Sequence, residues 1–356
     1  MIPTISRDSH YMQLPREVLI GKDVAPSVGE ILIRLGFHGP ALIVTGHKVV
    51  SIAGGTIQES LQNAGFKSST MLVDNATTEE VARVENEIQR IKPDIVVGLG
   101  GGKDIDTAKM SSMKTSTRFV SVPTAASHDG IASPLVSMKG LGRPYSYVAH
   151  APIAIVADIS IISKSPYPLI RSGCGDVVAK YTAVRDWKLA HRIKNEYYGD
   201  YAAELALMSA RLVMKNASSI RAMSNSGVHT LVEGLISCGV AMSIAGTSRP
   251  CSGAEHLFSH ALAMIAPKPA LHGEQCGVGT IMCAYLHGAN WQLIKDVLHT
   301  IGGPTTAKEL GIEPEYIIKA LTMAHTIRPE RYTILGESGL TKEAAERVAK
   351  LTGVIE

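Results

Sequence analysis

The sequence predicts an α/β unit built on a parallel sheet, followed by an all-helical unit. Three observations carry that expectation. Short β-branched runs alternate with amphipathic segments as far as Ser160, a glycine-rich turn joins one such run to a helical pattern, and beyond Ser165 strand signals give way to long helical patterns.

In chain order, strands are expected at Val18–Gly21, Ala41–Thr45, Thr70–Val73, Asp94–Gly98, Phe119–Val122 and Ile153–Ala157, with helical patterns at 25–36, 51–64, 78–91 and 103–113 between them. Helices that return the chain between parallel strands cover both faces of the sheet, and ligands then sit outside the carboxyl ends of the strands. Pro166 and Pro168, in Ser163-Lys164-Ser165-Pro166-Tyr167-Pro168, interrupt regular structure and place the boundary at 165, giving units 1–165 and 166–356. The second unit carries helical patterns at 176–192, 198–215, 229–245, 253–265, 275–287, 290–301, 313–325 and 341–351. No internal repeat or low-complexity tract is visible.

A chain of 356 residues, 45% hydrophobic and 19% charged, can bury a large core. The formal charge of +3 is small and the 35 Lys and Arg are scattered, so no electrostatic footprint points to nucleic acid. The five cysteines, Cys174, Cys238, Cys251, Cys276 and Cys283, form no C-x-x-C pair and read as small, buried, reduced residues of a cytoplasmic protein. The leading segment MIPTISRDSHYMQLPREVL carries charges where a signal peptide needs an apolar core, and the longest apolar stretch, around 234–246, reads as too short to span a bilayer. Neither export nor a membrane span is expected.

The most informative run is Gly98-Leu99-Gly100-Gly101-Gly102-Lys103-Asp104-Ile105-Asp106-Thr107-Ala108-Lys109, directly after Ile95, Val96 and Val97. Glycines between a strand and a helix let the backbone turn sharply and present N–H groups, with the helix dipole, to a pyrophosphate. The spacing departs from G-x-G-x-x-G, so a tight turn without a ligand is the plainer alternative. A second segment, Val122-Pro123-Thr124-Ala125-Ala126-Ser127-His128-Asp129-Gly130-Ile131-Ala132-Ser133-Pro134, contains adjacent Ser, His and Asp. Sequence neighbours cannot form the linear relay of a hydrolytic triad. As a loop leaving a strand end, the segment offers hydroxyls and backbone groups to a nucleotide and Asp129 to a substrate hydroxyl, or it is simply polar surface.

In the second unit, glycines precede Asp176 in Gly173-Cys174-Gly175-Asp176, consistent with a turn that Asp176 caps. His256 and His260 share a helix face at i, i+4, and His272 opens a later helix after Pro267 and Pro269. One carboxylate and two imidazoles suit a divalent ion such as zinc, with a position left for water or substrate. Spacing alone leaves open whether the three converge.

GLGGGKDIDTAK, SVPTAASHDGIASP, GCGDVVAK, SRPCSGAEHLFSH and LHGEQCGVG, in this order, make the chain resemble the sn-glycerol-1-phosphate dehydrogenase family over about residues 15–350. That family belongs to the group containing glycerol dehydrogenase, iron-containing alcohol dehydrogenases and dehydroquinate synthase. The resemblance implies a Rossmann-like N-terminal domain, a helical C-terminal domain and an active site in the cleft between them. It assigns Gly102, Lys103, Asp104, Ile105, Asp106, Thr124, Ala125, Ala126 and Ser127 to an NAD or NADP cofactor, with Ser133 beside it. Asp176, His256 and His272 match zinc ligands, Asp129 and His260 match substrate-contacting positions, and Asp176 touches substrate as well as metal.

The implied reaction is NAD(P)H-dependent reduction of dihydroxyacetone phosphate to sn-glycerol 1-phosphate, for the glycerophosphate backbone of archaeal membrane lipids, in a homo-oligomer. Cys251 and Cys276 stand where Ala and Val are expected, and neither is expected to touch a ligand. The alternatives are a glycerol dehydrogenase, a dehydroquinate-synthase-like lyase, which would carry Glu at Asp176, and a nucleotide-binding regulator without turnover. Arg249 is a candidate clamp for a substrate phosphate and Asp74 a candidate contact to the adenosine ribose.

Overall fold

The computed structural model describes residues 12–138 and 146–356; the first part of the leading charged segment lies outside them. Six parallel strands form the sheet: β1 (Glu17–Gly21), β2 (Ala41–Thr45), β3 (Ser68–Leu72), β4 (Ile95–Gly100), β5 (Arg118–Pro123) and, after the short antiparallel pair β6 (Leu135–Val136) and β7 (Tyr147–Val148), β8 (Ala154–Asp158). Their order is β1-β8-β5-β4-β2-β3. From β2 the chain moves outward to β3, then crosses back over β2 to β4 and continues the other way. The crossovers therefore diverge between β2 and β4, which is where a doubly wound sheet opens a crevice for a nucleotide. The glycine turn leaves β4 at that point, beside the end of β2, with Thr45 paired to Leu99.

Alternation along the strands separates two cores. Ala41, Ile43, Ile95, Val97 and Leu99 face one side and pack with Val28, Ile31, Leu32, Ile57 and Leu61. Leu42, Val44 and Val96 face the other, where the same apolar cluster runs through Ile105, Ile155 and Ala157 into Val177, Leu235 and Phe258 of the helical half. One sheet face is thus continuous with the helical core, and no solvent layer separates the halves along it.

The helical half differs from expectation at its start. The prolines do not break structure: Pro166 is the N-cap and Pro168 lies in the first turn of a helix, Tyr167–Val178, where a missing N–H costs nothing. Only a one-residue interruption at Ala179 separates it from Lys180–Lys194. Asp176 therefore sits inside a helix and caps none. Gly173 and Gly175 form no turn; a methyl group at either would overlap the carbonyl of Ala126 or Gly273. They let the Tyr167–Val178 and His272–Leu286 helices and the loop after β5 approach backbone to backbone. The apolar stretch around 234–246 also proves longer than it read. It is the end of Asn225–Ala245, 21 residues and apolar enough by length and composition to cross a membrane, but mostly buried inside the protein.

Candidate active site

The cofactor turn is shaped by its own backbone. Gly100, the last residue of β4, has φ of +150°, a conformation L side chains rarely adopt, and its carbonyl accepts from the Thr124 N–H at 2.9 Å, tying the exits of β4 and β5 together. Around Gly101 there is open space: a Cβ there meets no atom within 4 Å. At Gly102 a Cβ would meet the His128 ring, which would have to shift to admit it. The Gly101 N–H donates to Asp104 Oδ2 at 3.1 Å, and burial pushes the Asp104 carboxyl up to about 6.

The other residues expected at the cofactor separate by burial. Ile105 and Ala126 belong to the apolar core, and Thr124 and Ala125 are nearly as buried, so only their backbones can face a ligand. Lys103 reaches the Asp74 carbonyl. Asp106 accepts from the Ser137 N–H at 2.9 Å, and Ser127 presents its carbonyl to the Ser172 hydroxyl at 3.1 Å. Lys109, fully buried, donates to the carbonyls of Gly130, Ser133 and Leu135 at 2.7–2.8 Å and so holds the loop in shape.

Asp176, His256 and His272 sit on three helices, and His256 lies between the other two as their common neighbour. Asp176 Oδ1 lies 3.3 Å from His256 Nε2, and the two imidazole centroids are 5.2 Å apart. Glu255, fully buried, holds His256 Nδ1 at 2.9 Å while also accepting from Thr182 and from the Gly253 N–H. That carboxylate fixes the tautomer and leaves Nε2 turned to Asp176, the arrangement that supports a metal-bound histidine. Two imidazoles with a carboxylate against one of them are a donor set whose chemistry suits a borderline-soft divalent cation such as zinc.

Lys180, four residues after Asp176, completes the charge pattern. Its ammonium lies 2.9 Å from Asp176 Oδ1 and 2.8 Å from Asp129 Oδ2, and the Asp129 N–H donates to Asp176 Oδ2 at 2.8 Å. Burial works against charge on both partners, yet their mutual attraction holds the Asp176 carboxyl well below its ordinary range and the Lys180 ammonium well above.

Two expectations are corrected here. Cys276 does touch a proposed ligand: its Sγ is 3.6 Å from His272 Nε2, and among the described residues His256, His272 and Cys276 form a group whose donor atoms lie within 4.8 Å of one another. His272 is i−4 to Cys276 on one helix, so the two share a face. Arg249 is buried in a bidentate ion pair with Glu196, both contacts at 2.7 Å, and does not line the cavity between the two halves; it is neither an exposed loop residue nor placed to clamp a phosphate there.

A cavity of about 640 Å³ lies between the two halves. Asp106, His128, Asp129 and Ser133 line it from the sheet half, and His256, His260 and His272 from the helices, with Asp176 just behind the wall. His260 stacks on His272 at 5.5 Å between centroids. Arg328, which sequence reading missed, lines it too. Lys180 and Glu255 had a usable signal, i+4 from Asp176 and adjacency to His256; Arg328 had none, because nothing local marks an arginine just past a helix end as facing a distant site.

Comparison with known proteins agrees with this architecture. Residues 19–166 match the family described as iron-containing alcohol dehydrogenase. A glycerol dehydrogenase from Schizosaccharomyces pombe superposes with a TM-score of 0.81 at 18% identity, covering 98% of this chain and 91% of that one. A probable glycerol dehydrogenase from Sinorhizobium meliloti gives 0.77 at 20%, covering 97% and 98%. At such identities the likeness establishes the fold alone. Sequence relatives go further: glycerol-1-phosphate dehydrogenase [NAD(P)+] of Thermococcus kodakarensis is 54% identical, covering 99% of this chain and 100% of its own. That of Pyrococcus furiosus is 55% identical, covering 97% and 100%. Identity at that level from end to end, on a fold with this cavity, makes the chain a member of the glycerol-1-phosphate dehydrogenase family.

Proposed function

We propose that this protein reduces dihydroxyacetone phosphate to sn-glycerol 1-phosphate with hydride from NADH or NADPH. The observation that carries the reading is the shared cavity: Asp106 and His128, beside the glycine turn, and His256 and His272, with Asp176 against His256, are brought to the same space. The glycine turn and the backbone of Thr124–Ser127 receive the dinucleotide, with Asp106 and Ser133 beside its nicotinamide end. Asp176, His256 and His272 hold the zinc. When bound, that ion supplies Lewis acidity toward the ketone oxygen.

The remaining chemistry falls to the chain. The dinucleotide, when bound, would supply the hydride for the carbonyl carbon, and a proton must reach the oxygen. His260 lines the cavity, and burial, with the cations around it, keeps its imidazole neutral well below the ordinary range. A neutral imidazole N–H can hydrogen-bond that oxygen and relay the proton. Asp129, pinned by Lys180, is placed to accept from a substrate hydroxyl. We place the domain boundary at 165, and infer a homo-oligomer working in the cytoplasm, where its five free cysteines stay reduced.

Oxidation of NADH with dihydroxyacetone phosphate, beside dihydroxyacetone and glycerol, tests the reading. The phosphorylated ketone should be favoured by at least about 10²-fold in kcat/KM, since a site with donors for phosphate leaves them unpaired with the neutral analogue. Equal efficiency would make the enzyme a glycerol dehydrogenase.

A further inference from the structure

Positive charge gathers on one wall of the cavity. Arg328 lines it, with one guanidinium N–H donated to the Ser146 carbonyl at 3.1 Å. Behind it Arg331 donates to the Ser252 carbonyl and to Ser248 Oγ, both at 2.7 Å. Arg249, whose backbone adjoins Ser248, has its charge answered by Glu196. Both acceptors on Arg331 are uncharged, and burial, with Arg328 and Arg249 nearby, pushes its guanidinium down to about 9. Ser146, Ser248 and Ser252 all line the cavity. Because Ser248 Oγ accepts from Arg331, its own hydrogen is left to donate to something else.

We infer that Arg328 receives the substrate's phosphate, with the Ser248 hydroxyl as a second donor, and that Arg331 is a positioning residue that orients this wall. The inference rests on the substrate assigned above. A planar guanidinium matches two phosphate oxygens at once, and a dianion brought to this wall relieves the repulsion between the arginines. His260 lies under the electrostatic influence of Arg328 and Arg331 as well as of His256 and His272. It stacks on His272 and shares the cavity lining with Arg328, which suits a short phosphorylated ketone bound at both ends. The cofactor's pyrophosphate presents the same chemistry, but the open backbone at Gly101 provides for it.

Arg328→Gln and Arg328→Lys in the zinc-loaded, full-length enzyme test this. The glutamine variant should raise KM for dihydroxyacetone phosphate about 10–100-fold, the loss of a charge-assisted pair. It should weaken competitive inhibition by inorganic phosphate by a similar factor, and leave KM for NADH unchanged. Lysine should fall between, keeping the charge without the planar fork, and decides the matter if the glutamine variant does not fold. An unchanged KM for dihydroxyacetone phosphate would overturn the inference and leave the proposed reaction standing. A rise in KM for NADH instead would move the arginine to the cofactor. Wild-type enzyme showing no preference for the phosphorylated ketone would overturn the parent reading, and this one with it.

Discussion

At the end of β4 the glycines leave backbone uncovered, whereas in the helical half Gly173, Gly175 and Gly273 let backbones touch. A Cβ at Gly101 would meet no protein atom within 4 Å, but at Gly173, Gly175 or Gly273 it would overlap the carbonyl of Ala126, Gly273 or Ser172. The same residue type thus opens a surface to a ligand in one region and closes a core in the other. The proposed site follows the same division: the sheet half would present mainly backbone to the cofactor, and the helical half side chains to the metal. A defect in the first should be read as cofactor affinity, and in the second as metal content or stability.

The largest effect should come from the side-chain half. His256→Ala should lose zinc and depress turnover about 10³-fold or more, the ion's Lewis acidity being worth several kcal/mol. His260→Ala should keep its zinc, by elemental analysis, and lose about 10²-fold in turnover. If the His260 variant comes out metal-free and the His256 variant does not, the two roles have been exchanged.

The glycines break the comparison most directly. Gly101→Val should raise KM for the cofactor about tenfold or more while shifting unfolding free energy by less than about 1 kcal/mol, as expected at a helix N-cap. Gly173→Ala should do the reverse, costing about 1–3 kcal/mol in urea unfolding through overpacking, with cofactor affinity unchanged in what remains folded. Stability loss at Gly101 with normal cofactor binding would return the turn to a purely structural role.

A smaller effect separates the halves by pH. His150, in the loop before β8, meets Ser112 Oγ at 2.9 Å and stacks near Phe119, and burial pushes its imidazole down from 6.5 to about 4. Unfolded, it takes a proton near 6.5; folded, it resists until about 4. Its contribution is therefore complete above pH 6.5 and is lost as the pH falls through that window. At pH 5 the loss is roughly 2 kcal/mol. His150→Phe should lose correspondingly less stability between pH 7 and 5 in urea titrations. Parallel losses in both proteins would place the acid sensitivity elsewhere.

What the sequence determined by itself was local: the strands and the crossover helices, the glycine turn at a strand's carboxyl end, and the types of residue able to bind a cation. Periodicity and turn chemistry act over a few residues, so they survive in one dimension. Glycine before Asp176 was ambiguous for the same reason, since a turn and a close helix contact ask for the same missing Cβ. Only the tertiary structure brought Asp176 to His256 across 80 residues, set Cys276 against His272, and paired Arg249 with Glu196 while Arg328 faced the cavity. Which face of a helix is buried, and against what, depends on partners far along the chain, and no local pattern carries that information.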